Sequence, residues 1–139
     1  MIQIELPNIP IPWTASRITS RGAFDPRAKQ KKFTRWQIKS LYRAVPIQGY
    51  VVVELMFFMP IPASTSKKKK ALMLAREIIP TNMDCTNCQK LYEDCLKNII
   101  FTDDRNVARI CSEKLYGDKE KIIIKVWPLQ EYRDECRSR

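Results

Sequence analysis

A chain of 139 residues with 45% hydrophobic and 29% charged positions suits one globular domain that buries a core without covalent staples, and a second independent domain is not expected. Its apolar runs are too short to cross a bilayer, and the N-terminal MIQIELPNIPIPW lacks the basic start of a secretory signal. The formal charge of +10 falls only to +6 when the run Lys67 to Lys70 is set aside, so the basicity is spread out and favours nucleic acid over a membrane surface as partner.

Residues 2 to 6, IQIEL, alternate apolar and polar as a half-buried strand does, and Pro7 ends the run. The following stretch, NIPIPWTASRITSRGAF, reads as a loop. Its Trp13, Ser16, Arg17 and Arg21 suit contact with a phosphate backbone or stacking on a base; equally, the loop is solvated and Trp13 tucks onto the core. Asp25-Pro26 predicts a helix start, a capping acid followed by proline at the first helical position, and the helix runs to about Ala44, ahead of Pro46 and Gly49. Phe33, Trp36, Leu41 and Val45 are expected to line its buried stripe. Arg27, Lys29, Lys31, Lys32, Arg35 and Lys39 leave the remaining surface positive, dense enough to face phosphate.

Tyr50 to Met59, YVVVELMFFM, is nearly continuous in its apolarity and reads as a central strand buried on both faces. Glu54 is the exception, and pairing with a base is favoured over a role at an active face. After the rigid turn PIPAS, Ser64 to Ser66 supply caps for a helix that opens with Lys67, Lys68, Lys69 and Lys70. Helix N-termini favour anions, so four lysines there cost stability. They suit a basic flap that grips phosphate, or else a solubility patch.

Residues 83 to 104 carry the acids around which the rest is organised: Asp84 before a short helix, Asp103 and Asp104 after it. Adjacent carboxylates raise one another's pKa unless a cation neutralises them, and the candidates are Lys or Arg on one hand and Mg2+ on the other. Thr86 and Gln89 have the spacing of a capping box, with helix to about Lys97, Lys90 one turn in and Asp94 one turn further. Five cysteines, an odd number, fit reduced thiols in a cytoplasm. Cys85, Cys88 and Cys95 invite a zinc reading, but Cys88, Leu91 and Cys95 fall on one helix face and there is no histidine, so core packing is preferred. Val107 to Leu115 and Lys121 to Trp127 read as two strands of a hairpin beside the central strand. The tail 131–139 lacks apolar periodicity and is expected to be loose, leaving one domain over 1–130. These elements describe an α+β fold: a mixed sheet of about four strands with helices packed mainly on one face.

Three stretches, MPIPASTSKKKKA (59–71), DCTNCQKLYEDCL (84–96) and FTDDRNV (101–107), together resemble the RusA family of Holliday-junction resolvases of bacteria and their phages. Asp84, Asn87, Lys90, Asp94, Leu96, Asp103 and Asp104 follow the family pattern in order and spacing. The resemblance implies a RusA-like homodimer in a bacterial cytoplasm that binds branched DNA, a four-way junction, and nicks two opposed strands with Mg2+ (or Mn2+), with no membrane and no small-molecule cofactor. It implies metal ligands at Asp84, position 86 and Asp104, with Asp103 beside them and Lys90 facing the phosphate. Lys67, Lys68, Lys69, Lys70, Arg17, Arg21, Lys31 and Lys32 are the expected DNA contacts.

One departure matters: Thr86 stands where the family has an acid. Threonine caps a helix and offers a hydroxyl but supplies no negative charge, so the expectation is weak or absent cleavage with junction binding retained. The alternatives are a catalytically silent junction-binding protein on the same fold and a general basic nucleic-acid-binding module whose acids are merely salt-bridged.

Overall fold

Six strands and four α-helices form in the computed structural model, which describes residues 1–139: β1 (Ile2–Leu6), β2 (Arg17–Thr19), β3 (Gly22–Phe24), α1 (Ala28–Leu41), β4 (Val51–Pro60), α2 (Lys67–Leu74), α3 (Cys85–Leu96), β5 (Val107–Gly117), β6 (Lys121–Pro128) and α4 (Leu129–Arg137). The fold is α+β, with a mixed four-stranded sheet in the order β1-β6-β4-β5. No helix is long and apolar enough to cross a membrane.

The apolar run read as a central strand takes the centre, antiparallel to β6 and parallel to β5. Its Val51, Val53, Leu55 and Phe57 are fully buried, whereas Glu54, Met56 and Phe58 on the opposite face are half-buried. Glu54 stands opposite Lys125 in the ladder. β5 and β6 do not form the expected hairpin, because β4 lies between them. A strand apolar on both faces gains more from two flanking partners than from an edge position, and this outweighs the short link between β5 and β6. That link passes the end of β4 so closely that a Cβ on Gly117 would lie 3.0 Å from the Phe58 ring.

Below the sheet, Ile4, Leu6, Ile122, Ile124 and Val126 meet α3, whose Cys88, Leu91 and Cys95 are buried as their spacing predicted, together with Tyr92 and Leu96. Burial pushes the Cys88 and Cys95 thiols up to about 12, which makes them inert apolar fillers. The Tyr92 hydroxyl accepts the Ile11 N–H at 3.2 Å and ties the proline-rich segment down.

The expected stripe of α1 is turned outward: Phe33, Trp36, Leu41 and Val45 are 55, 64, 59 and 78% exposed, and the buried positions are Thr34 and Ile38. The cause is Arg35, whose Nη1 donates to the carbonyls of Asp94, Cys95 and Lys97 at 3.1, 3.1 and 2.8 Å. Serving the unpaired carbonyls at the end of α3 rotates this face inward and the aromatic one out. The helix is also shorter than expected. Asp25 caps the turn before it, accepting the Arg27 N–H at 2.8 Å, and the chain leaves helical geometry at Tyr42. Residues 17–24, read as loop, form the β2–β3 ribbon, with every strand residue exposed.

The C-terminal stretch expected to be loose is helical. Its sequence lacks a strong apolar period, but Tyr132 sits edge-on to Trp127 at 5.3 Å and Glu135 accepts the indole N–H at 3.0 Å. These contacts leave Trp127 only 4% exposed, and they cover the sheet on the face away from α3, since Trp127 alternates with the inward Val126. Truncation after Pro128 is expected to shift tryptophan emission to the red and lower Tm by roughly 4–8 °C, on the order of 2 kcal/mol. Unchanged emission would mean that α4 does not shield the indole.

Candidate nucleic-acid interface and acidic site

Asp84, not Thr86, is the N-cap of α3: its Oδ1 accepts the Asn87 N–H at 3.1 Å. The helix therefore starts two residues earlier than the capping-box reading predicts, and Thr86 occupies an exposed position in the first turn. This end of α3 is stitched to β5 by residues that sequence reading did not single out. Ser112 donates to Gln89 Oε1 at 2.8 Å and lies 3.2 Å from Cys85 Sγ, while Lys114 Nζ donates to the Met83 carbonyl at 3.1 Å. No local pattern flags them: Ser112, Glu113 and Lys114 are three consecutive polar residues, and which of them meets α3 is set by how the sheet packs.

At the other end, Ile99, Ile100 and Phe101 are buried and anchor the connection, so the acid pair emerges at the surface where β5 begins. Asp103 caps a single 3-10 turn, and the Arg105 backbone N–H and guanidinium, at 2.9 and 3.2 Å, hold its carboxyl below the usual range. Asp104 lies 3.8 Å from Lys97 Nζ. Burial, then the neighbouring Asp104 and Asp94, raises the Glu93 carboxyl.

The twelve residues of α3 rise about 18 Å between these two ends. Asp104 lies beside Lys97 and Glu93 at the far end of α3 from Asp84, so the structure of the single chain does not bring these two acids to one point. Nowhere in the fold do three acidic or thiol side chains converge on a cation-sized space. Asp84 with the Thr86 hydroxyl at one end, and Asp104 with Glu93 at the other, both fall short of a carboxylate-rich Mg2+ site. The residues do not fit a resident divalent cation in the single chain.

Lys90 stands apart from both ends. Its Nζ sits 4.2 Å above the Trp13 ring, and Trp13 donates its backbone N–H to the Asn87 carbonyl at 2.9 Å. Of the two readings left open for Trp13, packing onto the protein is the one observed. Lys31 is also withdrawn from the surface, half-buried between Asp25 at 2.9 Å and Asp94 at 3.5 Å, because two carboxylates lie within reach of its stem. Lys32 on the same helix is exposed. Lys67, Lys68, Lys69 and Lys70 are all exposed on the first turn of α2, whose cap Ser66 accepts the Lys69 N–H at 3.2 Å. Arg17 and Arg21 project on the β2–β3 ribbon. None of these free cations is ion-paired to an acid of the chain, unlike Lys31, Lys97 and Arg105.

No curated protein matches the sequence. The family model described as endodeoxyribonuclease RusA matches residues 8–127, a span that runs from the segment after β1 through the acids of α3 to the last residues of β6. With the ordered acids at both ends of α3 and a match covering most of its 139 residues, the chain belongs to the RusA endodeoxyribonuclease family.

Proposed function

We propose that this protein engages four-way DNA junctions as a homodimer, and that strand cleavage is weak or absent while Thr86 occupies the acid position. The family is one of divalent-metal-dependent nucleases that bind branched junctions. The observation that supports the reading is a contrast. The acids at the ends of α3 are held apart and occupied by local partners, whereas Lys67 to Lys70, Arg17 and Arg21 extend from exposed elements with no acid to satisfy them. Cations left free on a chain of net charge +10 suit a polyanion. A two-stranded ribbon such as β2–β3 also has the width to enter a DNA major groove.

The test is a labelled four-way junction with Mg2+ or Mn2+. The wild-type chain should bind it at least tenfold more tightly than linear duplex at matched salt and nick it feebly. Thr86→Asp should raise nicking, and it should fold normally because an acid in the first helical turn complements the helix dipole. Equal affinity for junction and duplex would sink the proposal, since phosphate contacts alone do not distinguish branching.

The separation of Asp84 from Asp104 favours one refinement. A site that uses both must draw them from two copies of the chain, because α3 is a rigid spacer between them. In the Thr86→Asp background, an equimolar mixture of Asp84→Asn and Asp104→Asn chains should then recover Mn2+ binding that neither variant has alone. No recovery in the mixture would mean that the two acids act separately.

A further inference from the structure

The outward face of α1 has no role in the fold. Phe33 and Trp36 are more than half exposed, with ring centroids 6.1 Å apart and planes within 21° of parallel. Two large aromatic rings held near-parallel in water bury little of their own surface, so this arrangement gains most from a third flat apolar body. The helix has no acid anywhere along it, and Lys29, Lys32 and Lys39 are exposed around the rings. Asp25 and Asp94, which would otherwise neutralise this face, are engaged by Lys31. Beside Phe33 lies a groove of about 510 Å³ lined by Asn8, Ile9, Ile11, Lys29, Gln30 and Phe33. One of its lining residues, Gln30, keeps a side-chain oxygen that is buried from solvent and has no hydrogen-bond donor, a free-energy cost that rotation of the amide toward a donor bound in the groove would remove.

We propose that this face is a stacking platform for unpaired nucleobases: a base lies on Phe33 and Trp36 or enters the adjoining groove, Gln30 Oε1 accepts from an exocyclic amino group, and Lys29 and Lys32 hold the flanking phosphates. Charge decides against a second copy of the chain as occupant, since a face with only basic residues repels its own image. An acid-free, aromatic, donor-seeking surface matches single-stranded nucleic acid at each of its three chemistries. The inference rests on the reading that the protein binds DNA, and it adds that displaced or splayed bases at a branch are held separately from the duplex arms.

The probe is a short oligodeoxycytidine, followed by tryptophan fluorescence and by anisotropy of a labelled copy. The wild-type chain should bind it with quenching. Phe33→Ala with Trp36→Ala should weaken binding about 10- to 100-fold, at one to three kcal/mol per stacked base. Trp36→Phe should keep affinity within about twofold while abolishing most of the quenching, which separates stacking from misfolding. Gln30→Met, which removes the acceptor while keeping a side chain of similar length, should weaken oligodeoxycytidine binding about threefold. Unchanged oligonucleotide affinity in the double variant, with four-way junction binding intact, would overturn the platform and leave the junction reading standing. A wild-type chain that binds neither junction nor oligonucleotide would overturn both. If sedimentation shows that Trp36→Ala converts a dimer to monomers, the face is a self-interface and the platform is wrong.

Discussion

Arg35→Ala is expected to be among the most destabilising single changes on the surface of this protein, lowering Tm by roughly 5–10 °C, or about 2–4 kcal/mol. One guanidinium nitrogen serves three carbonyls at the end of α3, and the side chain is half-buried between α1 and α3. Its loss leaves those carbonyls short of donors where water reaches them poorly and removes a cation from the negative end of the helix. The damage should be local first: amide exchange from Asn98 to Asp104 should quicken before β4 and β6 are affected, because the acid-bearing connection hangs on this anchor. Arg35→Lys should recover less than half of the loss, since a point ammonium does not reproduce the fork. If Tm does not move, solvent satisfies these carbonyls and the outward turn of the α1 aromatics needs another cause.

Replacing Lys67, Lys68, Lys69 and Lys70 together by alanine is expected to weaken junction binding about 10- to 100-fold near physiological salt, and to flatten the plot of log affinity against log salt by roughly three units. The interpretation is protected by the helix itself. Alanine is the better helix former, and removing four positive charges from the first turn of α2 relieves an unfavourable interaction with its dipole. The variant should therefore be at least as stable as the wild type, so lost binding is not lost folding. A salt slope identical to the wild type would remove these lysines from the interface and give the solubility reading the advantage.

What could be read from the chain followed local periodicity. The alternation in Ile2–Leu6, the unbroken apolar run of β4 and the placement of Cys88, Leu91 and Cys95 on one face of α3 are all short-range patterns, and all three appear in the structure. The α1 stripe misled for a specific reason. Phe33 and Trp36 have core-like side chains, but Arg35 between them bonds a helix 59 to 62 residues further along, and no local pattern reports that. Residues 121–128 were likewise readable as a strand beside the central one, but not as the partner of β1 nor as a strand that β4 separates from β5. The α4 segment looked loose because its anchor, Trp127, belongs to the preceding strand.

The same division runs through the site. Sequence order alone determined the family, the positions of Asp84, Asp103 and Asp104, and the substitution at Thr86, because these depend only on which residue stands where. Tertiary structure alone decided that Asp104 comes to rest beside Lys97 and Glu93, that Lys31 is spent on two carboxylates while Lys67 to Lys70 remain free, and that an aromatic face points to solvent. Distances between residues remote in the chain are set by packing and by long-range hydrogen bonds. Those are properties of pairs of elements, and one segment's sequence does not contain them.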